Sequence, residues 1–147
     1  VSRGVAVALV AVAGALVGMQ APVNARLGRS VGSLQAAAFS FVVGTIALLV
    51  VVAFAKGGFG GYSNVSKAPW WALIGGLFGA VFVTVSILTV RKLGVSGLTA
   101  TVIAGQLGIA VVIDRFGWFG IERQPVGAAR IVGLLLLAAG VFLVVRR

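Results

Sequence analysis

This chain has few groups that can do covalent chemistry. Asp114 and Glu122 are its only carboxylates, and it contains neither His nor Cys. A His-based catalytic triad needs an imidazole, and a zinc-type centre needs thiolates or imidazoles. That inventory excludes both and implies no cofactor. What remains is hydrogen bonding by neutral side chains. Gln20 and Asn24 are four residues apart, so on a helix they share a face. Pro22 lies between them and cannot donate to the Gly18 carbonyl. A helix broken here would gather two amides and a free carbonyl, as discontinuous helices do in transporter sites. A helix ending here would leave the same amides among lipid headgroups. Gln106, with Thr99 seven residues before it, is either a solute ligand or half of an interhelical hydrogen bond. Ser40, Thr45, Thr84 and Ser86 can satisfy themselves on their own helix carbonyls. Ser40 and Thr84 complete a substrate-binding set with Gln20, Asn24 and Gln106. Asp114, beside Arg115, is a proton-coupling acid or one member of an ion pair, and Glu122 belongs to a solvated loop.

The elements that must position these groups are apolar throughout. Hydrophobic residues make up 61% of the chain and charged ones 10%, against roughly half and a quarter in soluble domains. Uncharged stretches cover 4–25, 30–55, 68–90, 93–113 and 131–145. A crossing helix needs about 20 apolar residues. The expected fold is therefore an all-α membrane protein of five transmembrane helices, with spans near 4–25, 33–54, 69–90, 95–114 and 126–145 in a single domain. The last span reaches crossing length by starting near Val126 and letting Arg130 snorkel. The apolar run after Arg3 exceeds a signal-peptide core and is read as a span. Val1 in place of Met fits an alternative start codon or a trimmed end. Pro22 interrupts the first span late, and a basic link over 26–32 follows it. Ser33 caps the second span, a glycine-rich loop follows Lys56, Pro69 opens the third, and a turn around Gly94 and Gly97 leads into the fourth. Trp70, Trp71 and Trp118 mark interfaces. Small residues at helix-contact spacing (Gly14 and Gly18, Gly75 and Gly79, Ala104 and Gly108, Gly133 and Gly140) predict a packed bundle.

The net charge of +10 comes from twelve Lys and Arg spread over every break between stretches. That spread fits basic loops against anionic headgroups better than a nucleic-acid face, so no nucleic-acid partner is expected. With five crossings, Arg3, Lys56, Lys67, Arg115, Arg123 and Arg130 fall on one side, and Arg26, Arg29, Arg91, Lys92, Arg146 and Arg147 on the other. Orientation follows the difference in Lys and Arg between sides, and here six face six. Moving Arg130 into the last span leaves five against six.

Three segments resemble a known family: GMQAPVNARLGRSVGSLQAAAFSFVVGT, PWWALIGGLFGAVFV and AGQLGIAVVIDRFGWFG. They are similar to the YdcZ-type five-span bacterial proteins of the drug/metabolite transporter superfamily. The resemblance implies half of a ten-helix inverted-repeat architecture, formed as an antiparallel dual-topology homodimer, as a heterodimer with a related five-span chain, or by fusion. Small multidrug resistance proteins of the same superfamily exchange protons through a Glu in their first span. This first span has no acid, so the polar groups suit a neutral or zwitterionic solute, and their basic surroundings tolerate an anion.

The expected function is secondary transport of a small molecule across the bacterial inner membrane by alternating access. A passive dual-topology channel and a pairing subunit of a hetero-oligomeric transporter are the alternatives. No enzymatic activity is expected, since the chain has no catalytic headpiece.

Overall fold

The computed structural model describes residues 2–146. Val1 and Arg147, the last arginine of the charge balance, lie outside them. The described residues form helices without strands: α1 (Arg3–Val31), α2 (Ser33–Phe54), α3 (Gly75–Phe116) and α4 (Ala128–Val145), joined by 3₁₀ turns at Gly58–Lys67, Trp70–Ile74 and Trp118–Gly120. Four of these segments are long and apolar enough to cross a membrane: α1, α2, the run Trp70–Phe116 and α4.

The first helix does not end near Ala25 as expected. α1 continues through Pro22 to Val31 over 29 residues, so the expected basic link over 26–32 is helical. Packing explains the difference. Asn24 and Ala25 are buried, and a Cβ built on Gly28 would lie 3.3 Å from Ile87 Cγ2 and 3.7 Å from Ala36 Cβ. These contacts lie beyond Pro22 and hold the chain helical there, although proline costs a helix interior one hydrogen bond. The helix stops at Gly32, whose φ of 97° and ψ of 151° suit glycine alone, and whose N–H donates to the Gly28 carbonyl at 3.0 Å.

α3 breaks once. Gly94 has φ 71° and ψ 167°, with helical residues on either side. The expected turn around Gly94 and Gly97 is therefore a single-residue break, and Gly97 is already back in helix. Contacts divide the chain just before it, into Val1–Arg91 and Lys92–Arg147.

In the first unit, α2 lies antiparallel to α1 and to the first arm of α3. Asn24 meets Ser40, Gly28 meets Ala36, and Gly79 meets Phe41. The centre is small: Ala36, Ala37, Val83 and Ile87, flanked by Leu27 and Phe82. Small residues let helices approach closely where lipid offers no hydrophobic drive. Of the glycines at helix-contact spacing, Gly79 packs against Phe41, while Gly14, Gly18, Gly75, Gly108, Gly133 and Gly140 face open space. The glycine-rich loop forms 3₁₀ turns, held by Ser63 Oγ donating to the Gly60 carbonyl and Lys67 Nζ to Asn64 Oδ1, each at 2.8 Å.

In the second unit, the last arm of α3 runs antiparallel to α4. Gly97 approaches Val145 at one end, and Asp114 pairs with Arg130 at the other. The linker folds back onto the helix end, where the Gln124 N–H donates to the Asp114 carbonyl at 2.9 Å. In both units the large aliphatic side chains point outward, as at Val10 (72% exposed) and Leu143 (70%). A soluble domain rarely shows contiguous apolar surface of this extent, and a bilayer solvates it.

Candidate functional site

Of the sequence-predicted polar residues of the first unit, Gln20, Asn24 and Ser40 group together and Thr84 stands apart. Asn24 and Ser40 come together because α1 and α2 are antiparallel about Gly32. Asn24 Nδ2 donates to Ser40 Oγ at 3.2 Å. Asn24 is 6% exposed. Breaking a buried hydrogen bond of this kind is costly, so the pair fixes how α1 and α2 face each other here.

Gln20, one turn earlier on α1, borders a small cavity with Asn24, and α3 contributes Phe82, Val83 and Ser86 to its wall. Ser86 is only 3% exposed, so it is a member of the site that the spacing argument left out of the binding set. The only sequence signal for it was a hydroxyl on a face shared with Val83 and Val90. The cavity has a volume of about 10 Å³, room for about one water. A metabolite needs far more space, so this site must widen or be completed from elsewhere before a solute can occupy it.

Thr84 is on a different face of α3. Its Oγ1 donates to the Ala80 carbonyl at 2.8 Å, the intrahelical arrangement that removes a hydroxyl from recognition, and it borders a separate shallow cleft with Val81 and Val85. Gln106 is exposed on α3 and enters no side-chain hydrogen bond among the described residues.

Asp114 pairs with Arg130 rather than with its neighbour Arg115. Asp114 Oδ2 lies 3.0 Å from Arg130 Nη1, with side-chain exposures of 28% and 36%. Nη1 is buried and makes no hydrogen bond, so the contact is an ion pair lying off the N–H axis. The partner comes from α4, 16 residues along the chain, and only the folded linker brings it close.

Outward-facing apolar helices of crossing length and a polar pair buried between two of them define a polytopic helical membrane protein with a polar site among its helices. The family described as "Putative inner membrane exporter, YdcZ" matches residues 5–143, and the chain belongs to it. It is accordingly a multi-pass inner-membrane protein of a transporter family. No curated protein and no solved structure matches the chain.

Proposed function

We propose that the protein is a secondary transporter which exports a small molecule across the bacterial inner membrane, working as an antiparallel dual-topology dimer by alternating access. The observation that carries this reading is the Asn24–Ser40 hydrogen bond between α1 and α2 beside a water-sized cavity, in a chain that belongs to an exporter family. Gln20, Asn24, Ser40 and Ser86 form the polar wall met by the solute. Thr84 bonds its own helix carbonyl and is left out of this wall.

Five crossings follow from length. With 42 residues, α3 holds about twice the roughly 20 residues that one crossing needs. The Gly94 break is where one crossing gives way to the next. An odd number of crossings puts the termini on opposite sides, and the balanced charges favour neither orientation. Two oppositely inserted copies then make ten helices around a two-fold axis in the membrane plane. That symmetry exchanges inward- and outward-open states, and the open glycine faces of α1, α3 and α4 offer close-packing surfaces for the second copy.

Amides and hydroxyls suit a neutral or zwitterionic solute. The test is reconstitution into liposomes with a panel of neutral, zwitterionic, cationic and anionic solutes. Saturable flux of one class is expected, lowered roughly tenfold by Asn24→Leu, which removes a buried hydrogen-bonding partner. The proposal fails if no class moves faster than in protein-free vesicles, or if Asn24→Leu leaves the flux unchanged.

A further inference from the structure

One end of the first unit carries a concentration of positive charge that the solute site does not use. Arg26 and Arg29 on α1 and Arg91 at the end of the first arm of α3 line an open cleft of about 330 Å³, whose floor is Pro22, Ala25 and Val90. All three arginines are exposed. The unit Val1–Arg91 contains no Asp or Glu at all, so it holds no carboxylate to neutralise them. The C-terminus of α1 supplies a partial charge of only about −0.5, which offsets a fraction of three guanidiniums.

Like charges brought together on a concave surface repel one another unless an anion enters. Guanidinium forks match a tetrahedral oxyanion through paired N–H donors. The apolar floor excludes water from one side of the cleft, and that strengthens the attraction. Depth fits as well. α1 is about 44 Å long at 1.5 Å per residue, so roughly 14 Å of it exceeds a 30 Å hydrocarbon layer, and its arginine-bearing end falls at headgroup level.

We infer that the Arg26–Arg29–Arg91 cleft is a binding site for a phosphate-bearing anion, met either as the headgroup of an anionic lipid or as a free phosphate. The cleft is independent of the solute reading, because it shares no lining residue with the Gln20–Asn24 cavity.

The test uses the full chain. In phosphatidylcholine nanodiscs, equilibrium binding of inorganic phosphate is measured. In detergent, native mass spectrometry measures retention of added phosphatidylglycerol over phosphatidylcholine. Phosphate binding assigns a soluble anion, and selective phosphatidylglycerol retention alone assigns a lipid headgroup. Either one must fall roughly tenfold or more in the triple variant Arg26→Gln/Arg29→Gln/Arg91→Gln, given the usual effect of each basic residue near a membrane surface. It must hold in the equal-charge control Arg3→Gln/Lys56→Gln/Lys67→Gln. If the triple variant does not assemble, the three single substitutions carry the test, each expected to lower binding several-fold. The site is overturned if neither probe binds, or if the control variant loses binding to the same extent.

Discussion

Asn24 and Asp114 show how differently two polar residues can be read from sequence. The four-residue spacing placed Gln20 and Asn24 on one face, and both border the same cavity. What spacing could not supply was the partner, because Ser40 reaches Asn24 only through the antiparallel packing of α2. Ser86 and Thr84 were equivalent in the sequence as helical hydroxyls. Their difference is one of face: Thr84 bonds its own Ala80 carbonyl, while Ser86 is buried at the cavity. Ser86→Ala is therefore expected to lower transport several-fold, whereas Thr84→Val leaves it within about twofold, because an intrahelical hydroxyl bond contributes nothing to recognition. Parallel flux assays on the two variants check this, and equal losses would remove Ser86 from the site. Asp114 forms an ion pair with Arg130. Replacing it with Asn leaves the buried Nη1 of Arg130 without its counter-charge. The pair is part-exposed, so the loss should fall between the ~0–1 kcal/mol of a surface pair and the ~3–5 kcal/mol of a buried one, at about 1–2 kcal/mol. Unfolding of Asp114→Asn, Arg130→Gln and the double variant measures it. The double variant should be less destabilised than the sum of the singles, and strict additivity would mean that the contact contributes nothing.

At the scale of elements, composition and hydropathy made the apolar helices legible, while their ends were set by contacts that no local pattern contains. Pro22 is a strong local reason to end a helix, yet α1 runs on because Gly28 packs against Ile87 and Ala36. The packing of Ala36 and Ala37 against Val83 and Ile87, rather than the paired glycines, forms the centre of the first unit. It was invisible to a search for four-residue spacing because its partners lie on other helices. Gly94 is the reverse case, a local feature that sequence could place and structure could sharpen. Its φ and ψ fall in a region open essentially to glycine alone. Gly94→Ala should therefore destabilise the protein by about 1–3 kcal/mol, and thermal unfolding in detergent would show it. Gly97→Ala is the matched control. Gly97 is helical, and its Cβ would meet Leu93 and Val145 at 3.5 and 3.7 Å, ordinary contact distances. Equal destabilisation of the two variants would mean that the break at Gly94 carries no strain.

For the whole molecule, orientation in the membrane follows from charges that are individually unremarkable. The Asp114–Arg130 pair refines the balance without tipping it. Arg130 lies within α4, acids count for little in the positive-inside bias, and removing Arg130 from the tally leaves five basic residues against six. A near-null bias is easily displaced, and that is what makes it testable. Lys56→Gln and Lys67→Gln flank the 3₁₀ turns of Gly58–Lys67, where neither side chain supports the packing of α1, α2 and α3. Together, with Arg130 left out, they would leave three basic residues on the side of Arg3 and six on the side of Arg146. The richer side should then become cytoplasmic, carrying the C-terminus with it. Paired C-terminal reporters, one active only in the cytoplasm and one only outside it, should give comparable signals for the unaltered chain and a cytoplasmic signal alone for the variant. If dual topology is needed for function, the variant should lose transport, and co-expression with a copy biased the other way, Arg91→Gln/Lys92→Gln, should restore it. A single orientation of the unaltered chain would rule out the homodimer. Transport by the single-orientation variant would show that oppositely inserted copies are not required.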